Sequence, residues 1–389
     1  MSKEMRIGYI SMGDSYDTNT WSGTTYYFAE NLEKLVQLER ISICDDNVTK
    51  LINKYYSLKS KITKKRYIGG RSKLACKYYS LKAKKSISKI GNLDAIISVG
   101  TLPIVYLDID IPIINYTDAT FNQMVDYYSE FSNLSYQTIN DSNKLERKAL
   151  EKSSLLFYCS TWAKESAVND YNIAPNKVFS IPFGLNMSNI PHKDEVSNEI
   201  EKKLKISKCN LVFVGKDYKR KGGEIAYSTV RYLNEKLNID AHLTIIGSSP
   251  KINDTRVSII PYIDKNIEEQ QKLYQNILNE SHFLILPTKA DCFSMVGIEA
   301  NANGIPVVTT NTGGLPSLIE EGINGFQLDV EEDSKAYSLK IYENFIDKEK
   351  YRKLCINSRN HYEQKTNWLN TCSYIVNKIS EKVILKNKK

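Results

Sequence analysis

The chain has 389 residues, 41% hydrophobic and 25% charged, with a formal charge of +8. That length exceeds what one hydrophobic core usually serves, so two domains are expected, and the composition excludes a disordered or fibrous chain. No run of eighteen apolar residues reads as a membrane span, and the leading "MSKEMRIGYISMG" sets charges directly before a short apolar strand rather than a signal-type segment.

Along the first half, short apolar runs alternate with longer amphipathic segments, the pattern of parallel strands joined by crossover helices. The predicted strands are "RIGYISM", "RISICD", "LDAIISVG", "IPIINYTD", "SLLFYCS" and "KVFSIPF". After the first strand, "SGT" at Ser22–Thr24 opens a helix, and Gly23 there is placed to approach a ligand across an interdomain cleft. Between the second and third strands, Leu51 to Ile90 is rich in Lys and Arg and contains no acid. Inside it, "KYYSLKSK" from Lys54 and "KYYSLKAK" from Lys77 form a two-copy repeat, read as two basic amphipathic helices whose tyrosines and leucines pack while the lysines face water or an anion. No nucleic-acid motif accompanies the block. It is expected to make a peripheral contact with an anionic membrane, carried by Lys59, Lys61, Lys64 and Lys65.

The strand rhythm breaks at Asn186–Cys209, which is polar and reads as a linker. It restarts with "NLVFVGK", "AHLTIIG", "VSIIPYI", "HFLILP", "IPVVTT" and "GFQLD", so two doubly wound halves are the simplest reading. The predicted domains are 1–186, a linker 187–208, a second domain 209–365 and a terminal helix 366–389. The seven cysteines are scattered and include no CxxC pair, which suits a reducing, cytoplasmic setting. All four histidines lie at residue 192 or later, which excludes an imidazole base in the first half.

Two loops of the second half carry chemistry. In "VFVGKDYKRKGG", Lys216, Arg220 and Lys221 sit beside Gly222 and Gly223 in a strand-to-helix loop, a combination that suits a diphosphate but equally a solvated basic turn. In "PTKADCFSMVGIEANANGIPVV", Asp291 precedes a helix start and Glu299 follows eight positions later. Backbone N–H groups at Phe293, Ser294 and Met295 are expected at the helix end, where an anion is favoured. Two carboxylates flanking that anion site match a ligand ordered hydroxyl, phosphate, hydroxyl, as in a nucleotide sugar. A helix cap and a solvated acid account for the same two residues.

The stretch "PTKADCFSMVGIEANANGIPVVTTNTGGLPSLIEEGINGF" resembles the signature of the retaining GT-B glycosyltransferases of family 4, the glycosyl transferases group 1. "FVGKDYKRKGG" is similar to that family's phosphate loop, "IPFGLN" to its hinge, and "NWLNTCSYIVNKI" to its terminal helix, which begins near Trp368 and returns to the first domain. The resemblance implies an α/β GT-B fold of two Rossmann-like domains facing a cleft. It also implies a retaining, metal-independent, hexosyltransferase-type enzyme acting on a nucleotide-diphosphate sugar and a saccharide or lipid-linked acceptor, with no cofactor. Glu299 would hold the ribose, Asp291 the transferred sugar, Arg220 and Lys221 the diphosphate, and Tyr262 and Ile263 the base. Three positions depart from the family. Asp291 stands where Glu is usual, the cation spacing leaves Lys216 or Arg220 as the partner of Lys221, and Thr117 precedes Asp118 where a His is expected. A GT-B 2-epimerase and a non-catalytic GT-B binding partner remain alternatives.

Overall fold

The computed structural model describes residues 5–384. The four N-terminal residues, with their charges, and residues 385–389 of the expected terminal helix lie outside the described residues. The chain divides into two units: one runs to Gly184 and resumes at Trp368, and the other is Leu185–Asn367.

The first unit holds a six-stranded parallel sheet of β1 (Arg6–Met12), β2 (Gln37–Ile43), β3 (Ala95–Val99), β4 (Ile113–Thr117), β5 (Leu155–Tyr158) and β6 (Val178–Ser180), in the order β2-β1-β3-β4-β5-β6. Every residue of β3 and β4 is buried, which is why these strands read as near-continuous apolar runs rather than alternating ones. Ala75, Cys76, Tyr79, Ala83 and Ile87 of the helix Lys73–Ile90 close a core with Ile10, Ile41 and Ile96.

The helix Trp368–Ile379 belongs to this unit although it follows the whole of the other one. The Trp368 ring stacks on Phe28 at 5.2 Å, and Thr371 donates to the Pro182 carbonyl at 2.9 Å. Gly184 permits the approach, since a Cβ there would lie 2.3 Å from the Trp368 nitrogen.

Both copies of the repeat are helical, on Asn47–Thr63 and Lys73–Ile90. The expectation that their leucines pack is corrected: Leu58 and Leu81 are both exposed, because the inward positions are taken by Thr49 and Ile52 in one helix and by Tyr79 and Ala83 in the other. Among the described residues no helix is long and apolar enough to cross a membrane.

The second unit's parallel sheet contains β7 (Cys209–Val214), β8 (Ala241–Ile246), β9 (Val257–Ile260), β10 (Phe283–Leu286), β11 (Val307–Thr310) and β12 (Gly325–Leu328), in the order β12-β11-β10-β7-β8-β9. The chain builds outward from β7 to β9, then returns to start β10 on the other side of β7. That reversal makes the β7/β10 junction the topological switch point, where ligands of such sheets bind beyond the strand carboxyl ends.

The expected linker 187–208 is corrected. It carries the helix Lys193–Leu204, whose Val196 and Ile200 enter the second unit's core, and buried Lys203 donates to the Ser281 carbonyl at 3.1 Å. The stretch looked polar because only one turn-spaced stripe of it is apolar.

Candidate functional site

The loops leaving β7 and β10 lock together at the switch point. Gly222 adopts a left-handed conformation (φ 78°) at the start of the helix Gly223–Lys236, and a Cβ there would fall 1.9 Å from the Pro287 carbonyl oxygen. The Lys289 N–H donates to the Arg220 carbonyl at 2.8 Å, while Arg220 Nη1 donates to the Ala290 carbonyl at 2.5 Å. Arg220 also approaches the Asp217 carboxylate at 3.4 Å. These contacts present Lys221 to the second loop, where its Nζ lies 2.5 Å from Asp291 Oδ2. The Lys221 and Asp291 side chains are 15% and 8% exposed, so the pair is nearly dry. On the far side, the Gly314 N–H of the Gly-Gly turn donates to the Asp291 carbonyl at 3.1 Å, holding the carboxylate's backbone in place.

Past Asp291 the helix Met295–Ala302 begins where the sequence places it. Ser294 is its N-cap, and Ser294 Oγ accepts from the Gly297 N–H at 3.2 Å. Helix geometry leaves the Met295 and Val296 N–H groups without an intrahelical acceptor. Of the Phe293–Met295 set read from sequence, Met295 is the first residue of this helix and Ser294 its N-cap. Phe293 and Ser294 are themselves buried.

Glu299, in the middle of that helix, is buried. Its Oε1 is 2.6 Å from Lys265 Nζ, and its Oε2 accepts from the Tyr274 hydroxyl at 2.5 Å. Burial, reinforced by the Glu299 charge, holds the Tyr274 phenol well above its ordinary range, so it stays a donor. Below it, Asn303 Nδ2 donates to the Glu299 carbonyl at 2.8 Å. Glu299 is therefore an anchored carboxylate, its orientation fixed by Lys265 and by Tyr274 of another element.

The remaining sequence-predicted residues fall in two places. Tyr262 is exposed, Ile263 is half-buried, and Lys216 lies 6.0 Å from the Tyr262 ring centroid, which joins the expected base loop to the expected phosphate loop. Gly23 and Asp118 lie in the first unit. Gly23 is the left-handed N-cap of the helix Thr24–Leu32 and follows Trp21 (φ 47°) and Ser22 (φ 54°), two non-glycine residues in the same strained region. Asp118 follows β4, with Thr117 Oγ1 at 3.4 Å from its Oδ1.

Sequence reasoning missed Lys265 and Tyr274. Lys265 sits three residues past Tyr262 in a loop singled out for its aromatic residue. Tyr274 shares an inward stripe with Leu278 on the helix Glu268–Glu280, and that spacing reads as ordinary core.

Residues 196–361 match the family model described as "Glycosyl transferases group 1". The UDP-Gal:alpha-D-GlcNAc-diphosphoundecaprenol alpha-1,3-galactosyltransferase of Escherichia coli is 23% identical over 176 residues, 43% of this chain and 45% of that one. The chain spans about half the length of the curated relatives it matches. The sucrose-phosphate synthase of Thermosynechococcus elongatus superposes with a TM-score of 0.68 at 14% identity, over 98% of this chain and 100% of that one. The Anabaena protein HepE, solved with UDP and glucose, gives 0.63 at 14% identity over 97% and 99%. With two six-stranded parallel sheets, and superposition on these structures over nearly its whole length, the chain has the two-domain α/β fold called GT-B, and residues 196–361 are similar to the group 1 glycosyltransferases.

Proposed function

We propose that this protein is a retaining, metal-independent glycosyltransferase that moves a sugar from a nucleotide diphosphate to a saccharide or lipid-linked saccharide in surface polysaccharide or glycolipid assembly. The observation that carries the reading is the Lys221–Asp291 contact at the switch point, one turn from the capped helix that holds Glu299. A cation, two open helix amides and a buried carboxylate stand in the order that a diphosphate followed by a ribose diol requires. The relatives' printed names support the substrate class: a galactosyltransferase acting on a diphosphoundecaprenol-linked sugar, and a structure solved with UDP and glucose.

In this reading Glu299 accepts hydrogen bonds from the ribose hydroxyls, and Lys265 and Tyr274 keep it aimed. Lys221, Arg220 and the Met295 and Val296 amides stabilise the departing diphosphate as the anomeric C–O bond breaks. The acceptor hydroxyl forms the new bond on the face the diphosphate leaves, and a diphosphate oxygen takes its proton. Asp291 orients the transferred sugar, Tyr262 and Ile263 border the base, and Gly23 and Asp118 act on the first unit's side of the reaction. Preset protein cations do the work a metal would otherwise do.

The test is incubation with a panel of nucleotide sugars, with and without saccharide and lipid-linked acceptors, following nucleoside diphosphate release. Release that depends on acceptor and is unchanged by a chelator is expected. Conversion of the donor to its 2-epimer without acceptor would identify an epimerase, and binding without release from any donor would identify a non-catalytic partner.

A further inference from the structure

The helix Asn47–Thr63 is turned inside out for a globular protein. Thr49 and Ile52 face the first unit, while Val48, Leu51, Tyr55, Leu58 and Ile62 are between 44% and 74% exposed. Their spacing of three, four, three and four residues places all five on one outward stripe of a helix about 25 Å long. At 100° per residue, Lys50, Lys54 and Lys61 run along one edge of that stripe. Among the described residues none of these three lysine side chains has an ion-pair or hydrogen-bond partner, and the helix contains no acid. On the neighbouring helix three of the six lysines, Lys73, Lys82 and Lys84, are answered by Asp141, Asp46 and Asp108, where Asn47–Thr63 has no lysine paired with an acid among the described residues. At the far end, Lys59 donates to Gln137 at 2.7 Å, next to Tyr136, which is exposed as well. Of the four lysines expected from sequence to meet an anion, Lys59 and Lys65 are therefore engaged, Lys65 by Asn133 at 2.9 Å, while the Lys61 and Lys64 side chains have no partner among the described residues. Lys50, Lys54 and Lys61 hold the open positions.

We propose that this face docks the first unit on an anionic lipid surface, the apolar stripe entering the headgroup boundary and Lys50, Lys54 and Lys61 meeting the lipid charge. An exposed apolar stripe calls for an apolar partner. A row of unanswered lysines beside it selects an anionic one. An antiparallel second copy of the chain fits poorly, because pairing two stripes that way would bring two lysine rows together without countercharge. A bilayer containing acidic lipid supplies both surfaces at once, and Tyr55 and Tyr136 suit its interface. None of the residues assigned to sugar transfer lies on this face, so the proposal stands independently of that reading.

The test is co-sedimentation, without any nucleotide sugar, with vesicles of phosphatidylcholine plus phosphatidylglycerol and with phosphatidylcholine alone. The parent protein should sediment with the first and not with the second. Combining Lys50→Gln, Lys54→Gln and Lys61→Gln should lower partitioning by about fivefold per lysine at low salt, and by less at high salt. Combining Leu51→Ser, Leu58→Ser and Ile62→Ser should lower it at both. Because all six side chains are exposed, the variants should unfold at the parental temperature, and light scattering reports their oligomeric state. The proposal is overturned if the parent does not bind the anionic vesicles, or if neither triple variant weakens binding. It is also overturned if the parent is a dimer that the apolar triple converts to monomer, which would make a second copy the occupant.

Discussion

Replacing Lys221 with Met removes the cation facing Asp291 while keeping the stem that packs near Gly215, and the two members of the pair should respond unequally. Breaking a buried pair by deleting one partner costs about 3–5 kcal/mol when the remaining charge is fully dry. Here Asp291 is 8% and Lys221 15% exposed, and Asp291 is held by a backbone it cannot leave, its carbonyl fixed by Gly314. We therefore expect Lys221→Met to cost about 2–3 kcal/mol, slightly below that range. Asp291→Asn leaves a lysine whose flexible stem can carry its charge to water, and should cost about 1 kcal/mol. Thermal unfolding should then fall several degrees further for Lys221→Met than for Asp291→Asn.

Adding a nucleoside diphosphate separates the chemistry from the packing. The parent and Asp291→Asn should both be stabilised by it, the latter at least as strongly because Lys221 is released to the phosphates. Lys221→Met should bind about ten- to a hundredfold more weakly, the loss of a charge-assisted contact worth about 1.5–3 kcal/mol. Equal destabilisation by the two substitutions would refute the asymmetry. Unchanged nucleotide affinity in Lys221→Met would remove Lys221 from the phosphate site.

Glu299→Ala should lower kcat/KM by about one to two decades while Tyr274→Phe loses less, since Lys265 still holds the carboxylate; a larger loss in Tyr274→Phe would make the phenol, not the acid, the ligand group. If the transfer is retaining, NMR of the product should show the donor's anomeric configuration, and an inverted linkage would end that assignment. Acid should weaken the second unit through His282, which burial, with Lys203 adding to it, pushes down to about 3. Its Nδ1 accepts the Asn210 N–H at 3.1 Å, so the folded protein holds the ring neutral where an unfolded chain would protonate it. The folded value lies below the unfolded one, so stability is full above pH 6.5 and is lost as pH falls toward 3, at up to about 1.4 kcal/mol per unit. Urea midpoints that stay flat on acidification in the parent, or fall as steeply in His282→Gln, would contradict this.

The fold was legible because parallel strands covered on both faces advertise themselves: each of the twelve predicted apolar runs overlaps a strand. What misled was composition. The helix Lys193–Leu204 hid behind its charges, with Val196 and Ile200 buried among polar neighbours, and the leucines of the repeat were assumed to pack because leucine usually does. Exposure is a property of which face the unit needs covered, and a single helix cannot report it.

At the site, the acids were legible and their partners were not, for a reason of distance along the chain. Asp291 and Glu299 are eight residues apart, a separation that strand, cap and helix geometry turn into a local motif. Lys221 lies 70 residues before Asp291, and Lys265 lies 34 before Glu299. These lysines reach the acids only because β7 neighbours β10 and the chain after β9 returns over the same end of the sheet. Each nearly buried carboxylate thus depends on a cation delivered by sheet order. An acid pair at this spacing without those two remote lysines would keep two largely desolvated charges without their cations, at a cost of about 3–5 kcal/mol each where the site is dry. The acid pair is therefore tolerated only together with the topology that neutralises it, and a chain that retained the acids but lost both lysines would have given up both ion pairs.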